Sequence, residues 1–125
     1  MDAREILLTH RSIRKYKDKP IEQGLLDEII TLSCRASTTG NMQVYSVVNT
    51  TDVLLKKKLA PAHFNQKMVF EAPNILTFCA DFNRFNRWCE ANDASPGYDN
   101  FLSFMTAAID VLLVSQNVTM LAEER

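Results

Sequence analysis

The chain has 125 residues, 46% hydrophobic and 23% charged, a composition that fits one ordinary globular domain and excludes a disordered tail. Its 14 basic and 15 acidic residues leave a formal charge of −1, so no global positive field exists to hold a nucleic-acid backbone or an acidic membrane surface. The longest apolar runs, such as Val111-Leu112-Leu113-Val114, fall well short of the ~20 residues needed to cross a bilayer, and Met1-Asp2-Ala3-Arg4-Glu5 has no signal-peptide pattern, so a cytoplasmic location is expected.

In chain order, Asp2 is placed to cap a short helix through Leu8, with Ile6 and Leu7 as its apolar contacts. The basic run His10-Arg11-Ser12-Ile13-Arg14-Lys15-Tyr16-Lys17 follows and Pro20 interrupts it. Leu25, Leu26, Ile29, Ile30 and Leu32 recur at helical spacing and predict an amphipathic helix from Glu22 to about Arg35. The small, polar Ser37-Thr38-Thr39-Gly40-Asn41 ends it. Tyr45-Ser46-Val47-Val48-Asn49-Thr50 and Asn74-Ile75-Leu76-Thr77-Phe78-Cys79-Ala80 read as two buried strands. Between them, Asp52 to Ala60 is predicted as a short helix capped by Asp52, with Lys56-Lys57-Lys58 as a solvated face suited to the macrodipole at its C-terminal end.

A loop around Ser95-Pro96-Gly97 precedes a last helix, predicted from about Asp99 to the end of the chain. Its apolar residues point in nearly every direction, the mark of a helix enclosed on most sides, which two strands cannot achieve. It stops at Glu123-Glu124-Arg125 without a Gly or Asn cap and with acids where the macrodipole disfavours them. The expectation is that the polypeptide continues or that a partner subunit covers this helix. The order helix, helix, strand, helix, strand, helix indicates an α+β or α/β layered fold, with residues 1–125 undivided by any linker or repeat.

Cys34, Cys79 and Cys89 are odd in number and widely spaced, which fits reduced, space-filling thiols, and no Cys or His pair has metal-ligand spacing. Nucleophile elbows, Gly-rich phosphate loops and dinucleotide fingerprints are missing from the sequence, so a side-chain nucleophile has no support. Three polar patches remain. His10, Arg11, Ser12 and Arg14 bring two guanidinium forks, an imidazole and a hydroxyl together in five residues, a composition suited to a phosphate but by itself more readily that of a basic surface loop. The run from Ser37 to Gln43 offers neutral hydroxyls and amides that suit the heteroatom-rich edge of a bound ring, or simply make a turn. Asn65-Gln66-Lys67 is the third and by itself reads as surface.

In this order and spacing, His10-Arg11-Ser12-Ile13-Arg14-Lys15-Tyr16, Arg35-Ala36-Ser37-Thr38-Thr39-Gly40-Asn41-Met42-Gln43, Asn65-Gln66-Lys67 and Phe78-Cys79-Ala80-Asp81-Phe82-Asn83-Arg84 resemble the nitroreductase family of FMN enzymes. The likeness is greatest to its NADPH-preferring, oxygen-insensitive branch. It implies the N-terminal part of an α+β, three-layer α/β/α fold, with the long last helix buried at the interface of a homodimer that holds FMN between its subunits. It further implies that His10, Arg11 and Ser12 contact the ribityl phosphate, while Arg14 and Gln66 meet the pyrimidine side of the isoalloxazine. Thr38, Thr39 and Asn41 match a loop that reaches the flavin of the other subunit, although close relatives carry a serine-rich run there. The implied activity is ping-pong transfer of hydride from NAD(P)H through FMN to a nitroaromatic or quinone-type acceptor, with no catalytic side chain and no metal. Family members generally continue well beyond such a helix, so the alternative is a flavin-free, non-enzymatic remnant or interaction module with half the fold.

Overall fold

A computed structural model describes residues 2–97 and 99–125. Among the described residues the elements are α1 (Ala3–Thr9), α2 (Gln23–Ser33), β1 (Tyr45–Thr50), α3 (Val53–Leu59), α4 (Lys67–Glu71), β2 (Ile75–Ala80), α5 (Phe82–Ala91) and α6 (Phe101–Glu124), with 3-10 turns at Thr39–Asn41 and Ala60–His63. The α+β expectation holds. Two short helices, α4 and α5, go beyond the elements read from the sequence.

Local chemistry sets the starts of these helices. At α1, Asp2 Oδ1 accepts from the Glu5 amide at 2.8 Å while the Asp2 amide donates to Glu5 Oε2 at 2.9 Å, a reciprocal capping box. Asp52 caps α3, Asp81 caps α5 and Asn100 caps α6, each accepting from the backbone amide three residues on. The cap at Asn100 moves the start of the last helix from Asp99 to Phe101.

β1 and β2 pair antiparallel, with Tyr45 opposite Ala80 and Thr50 opposite Ile75. They are less buried than their composition predicts: within β1 only Tyr45 and Thr50 are buried, and no residue of β2 is. A pair of strands has two open edges and α6 packs on the sheet, so much of the remaining surface meets solvent.

α6 contacts both the sheet and α2, and the core lies there. Tyr45, Val111 and Val114 form its centre, with Cys34, Ala36, Val47 and Phe78 packed around them. α6 buries Ser103, Ala107, Asp110, Val111, Val114 and Val118, which share one face at helical spacing. The opposite side leaves Phe101, Leu102, Phe104, Ile109, Leu112 and Leu113 exposed. Within this chain α6 is therefore enclosed on one face rather than on most sides. As a whole it is also long and apolar enough to cross a bilayer, which corrects the expectation drawn from short apolar runs. Its buried Asp110 and its packing on α2, β1 and β2 mark it as a core helix.

Two further residues differ from expectation. Leu7 is exposed and only Ile6 of α1 is buried, because a helix of seven residues offers one narrow inward stripe. Lys56 is buried, while Lys57 and Lys58 are exposed. The Lys56 ammonium donates to the Ala72 carbonyl at 2.9 Å and to the Phe70 carbonyl at 3.5 Å, which ties α3 to the end of α4.

Candidate functional site

Between α1 and α2 the backbone has no regular structure, and residues 10–22 cross the surface exposed to solvent. The Tyr16 hydroxyl donates to the Ile13 carbonyl at 3.0 Å and stiffens this strap locally. Its charged residues face different ways. Arg11 and Ile13 line a cavity of about 520 Å³ with Thr9 and Glu123. Arg14 lines a second, of about 280 Å³, with Gln66, Lys67 and Met68.

The two cavities are available to a ligand in different degrees. His10 Nδ1 lies 2.7 Å from Glu123 Oε1, so this nitrogen is engaged by the far end of α6 and Nε2 has no partner among the described residues. Arg11, Ser12 and Arg14 make no side-chain hydrogen bond or ion pair among the described residues, so their donors remain open to an anion. Gln66 is the N-cap residue of α4, yet its side chain makes no capping bond, leaving the amide free beside Arg14. Just before it, Phe64 and Asn65 both adopt left-handed backbone, with φ of 55° and 53°. Left-handed geometry is unfavourable for a bulky residue such as Phe64, and it persists when neighbours fix it. Here the Phe64 amide donates to Pro61 and the Asn65 amide to Ala60.

The 38–43 loop is a separate region. Neither Thr38, Thr39 nor Asn41 lines the Arg11 or Arg14 cavity. Asn41 instead borders a third cavity of about 270 Å³ with Gln43, Arg84, Phe85 and Trp88. Thr39 faces inward: its amide lies 3.1 Å and its hydroxyl 3.3 Å from Asp110 Oδ1. Gly40 takes a φ of 58°, which only glycine adopts without steric cost. Below the loop, burial pushes the Tyr45 hydroxyl up to about 12; the hydrogen-bonded Cys34 thiol adds to this, Arg84 opposes it and Asp110 contributes a smaller rise. Tyr45 therefore stays neutral in the core.

One chain thus joins Arg14 with Gln66, places Arg11 beside His10 and Glu123, and keeps the 38–41 loop apart. Asp110 and Glu123 carry contacts that the sequence did not assign to them. Glu123 left a trace, since an acid in the last turn of a helix invites a cationic or donor partner. Asp110 left a fainter one, a lone carboxylate among the apolar residues of α6.

The comparisons with known proteins fall into place on this geometry. A family profile described as the Nitroreductase family matches residues 7–124. An oxygen-insensitive NADPH nitroreductase of Salmonella typhimurium is 34% identical over 119 residues, covering 95% of this chain and 48% of its own length. A solved structure from Bacteroides fragilis superposes with a TM-score of 0.93 at 53% identity, covering 96% of this chain and 49% of that one. An NADPH:FMN oxidoreductase of Vibrio harveyi, solved with NAD+, superposes with a TM-score of 0.85 at 33% identity, covering 95% of this chain and 50% of that one. The chain thus spans about half the length of the curated relatives it matches.

Proposed function

The chain belongs to the nitroreductase family, and on that premise we propose that it forms the N-terminal part of a single FMN-dependent oxidoreductase domain, working with NAD(P)H. The observation that carries this reading is the pairing of Arg14 with Gln66 at one cavity, neither side chain hydrogen-bonded among the described residues, on two segments far apart in sequence. That donor set fits the carbonyl-rich edge of a flavin, and the unpaired Arg11 and Ser12 further along the same strap fit its phosphate.

When bound, FMN supplies hydride acceptance from a nicotinamide and onward delivery of electrons. The chain's own residues bind and orient. Arg11, Ser12 and the Nε2 side of His10 hold the phosphate, and Glu123 fixes the His10 ring in position. Arg14 places a permanent positive charge at the pyrimidine edge, where it favours the reduced ring, and Gln66 donates to or accepts from the same edge. Thr38 and Asn41 face the flavin of a second copy, which accounts for their separation from the strap within one chain, while Thr39, expected to do the same, turns inward to Asp110 and anchors the loop. The exposed apolar side of α6 covers itself against that copy, giving a homodimer. Nitroaromatic or quinone-type compounds are the acceptors in this reading.

NADPH consumption in the presence of FMN and a quinone or nitroaromatic tests it. The expected result is parallel double-reciprocal lines, the signature of a ping-pong route. A rate no higher than that of FMN without protein overturns the reading. The exposed face of α6 also favours a second reading, a flavin-free interaction module, for which the chain would self-associate yet take up no FMN.

A further inference from the structure

We propose that Asp110 is a positioning residue for the Thr38–Asn41 loop, holding it in the shape with which it meets a flavin. The inference rests on the flavin reading above and adds to it a residue outside the polar patches. Asp110 is 1% exposed on the inward face of α6. Both of its oxygens accept from the Thr39 amide, Oδ1 at 3.1 Å and Oδ2 at 3.3 Å, and Oδ1 also receives the Thr39 hydroxyl at 3.3 Å. Among the described residues no cation forms an ion pair with it. A buried carboxylate without a cation is costly, so its retention calls for a return that an apolar side chain would not give.

The loop supplies the reason. Gly40, Asn41 and Gln43 all have left-handed backbone, with φ of 58°, 54° and 52°. Two of its internal bonds are long, 3.5 Å from the Asn41 amide to the Thr38 carbonyl and 3.5 Å between the Gln43 and Asn41 side chains, and a third runs from the Met42 amide to the Thr39 carbonyl at 3.2 Å. Such a backbone persists only when its surroundings over-determine it. Two side chains from outside do so. Asp110 grips the start of the loop, and Arg84 Nη1 donates to the Gln43 carbonyl at 3.5 Å and the Tyr45 carbonyl at 3.2 Å at its end. Charge-assisted bonds are the stronger kind, which suits a carboxylate at the first of these positions.

The test compares FMN affinity and amide hydrogen exchange in the wild-type chain, Asp110→Ala and Asp110→Asn. Asp110→Ala is expected to weaken FMN binding about tenfold or more, the scale of losing a buried hydrogen-bonding partner. The Thr39 amide should exchange faster in that variant while the Val111 and Val114 amides stay protected, a split that a general loss of packing would not produce. Asp110→Asn keeps one acceptor oxygen for Thr39 and should restore both readouts to within about threefold of wild type; it remains informative if the alanine variant fails to fold. A wild-type chain with no affinity for FMN sinks the flavin reading and this inference together. A wild-type chain that binds FMN while Asp110→Ala, or an asparagine variant with a fully mobile Thr39 amide, binds equally well overturns this inference alone.

Discussion

Lys56 shows what a single position hides. In the sequence it belongs to three consecutive lysines that look alike, and helix propensity and macrodipole arguments treat them alike. The direction each one faces depends on how α3 sits against α4, a contact between segments that the local pattern does not encode. Lys56 ends up buried with its ammonium on the Ala72 and Phe70 carbonyls, while Lys57 and Lys58 remain exposed. Replacing Lys56 with Met would leave those carbonyls short of a donor and is expected to destabilise the fold by about 1–3 kcal/mol. The same change at Lys57 should stay within about 0.5 kcal/mol. Urea unfolding of the two variants side by side measures the difference, and equal midpoints would show that the buried ammonium contributes nothing. His10 teaches a similar lesson. Its chemistry was legible, but its pairing with Glu123 joins opposite ends of the chain and no local rule could supply it.

Among the elements, β1 was readable to the residue because β-branched and aromatic side chains coincide with clear boundaries. Asp52 marked α3 for the same kind of reason, a capping side chain directly ahead of an apolar run. α5 was missed although Asp81 caps it, since Asn83, Arg84, Asn86 and Arg87 dilute the apolar period set by Phe82, Phe85 and Cys89. α6 announced its length but not which side the chain itself would cover. The small Ser103 and Ala107 and the branched Val111, Val114 and Val118 allow close approach to the sheet and α2, so they take the inner face and the bulkier Phe104 and Leu112 are left outside. Val114 has no exposed surface at all, and Val114→Ala should therefore cost roughly 2 kcal/mol from lost methyl burial plus the cavity left behind. Leu112→Ala, on the exposed side, should change the unfolding free energy of the isolated chain far less. Thermal or denaturant unfolding at low protein concentration checks the contrast, and a larger loss at Leu112 would mean that the inner face has been assigned to the wrong side of the helix.

Over the whole molecule, the fold class was legible because the helix and strand signals are consistent along the chain, and the candidate site was legible only as a set of patches. Composition alone made His10, Arg11, Ser12 and Arg14 a general anion contact. The structure added the cavity shared by Arg14 and Gln66, and it separated the Thr38–Asn41 loop from that cavity. In the proposed dimer, a loop that lies apart in one chain would gain a role when a second copy brings it to the other's strap, a relation no single sequence displays. Family membership rests on the match across residues 7–124, while the site assignments are proposals drawn from the family resemblance and supported by the cavity that Arg14 and Gln66 share. The most direct measurement of the central claim is the visible absorbance of the purified chain after incubation with FMN and removal of free flavin by gel filtration. The prediction is a flavin band that travels with the protein in the wild type and is lost when Arg11 and Arg14 are both replaced by Ala; a colourless wild-type protein, or a double variant that retains the band undiminished, would contradict it.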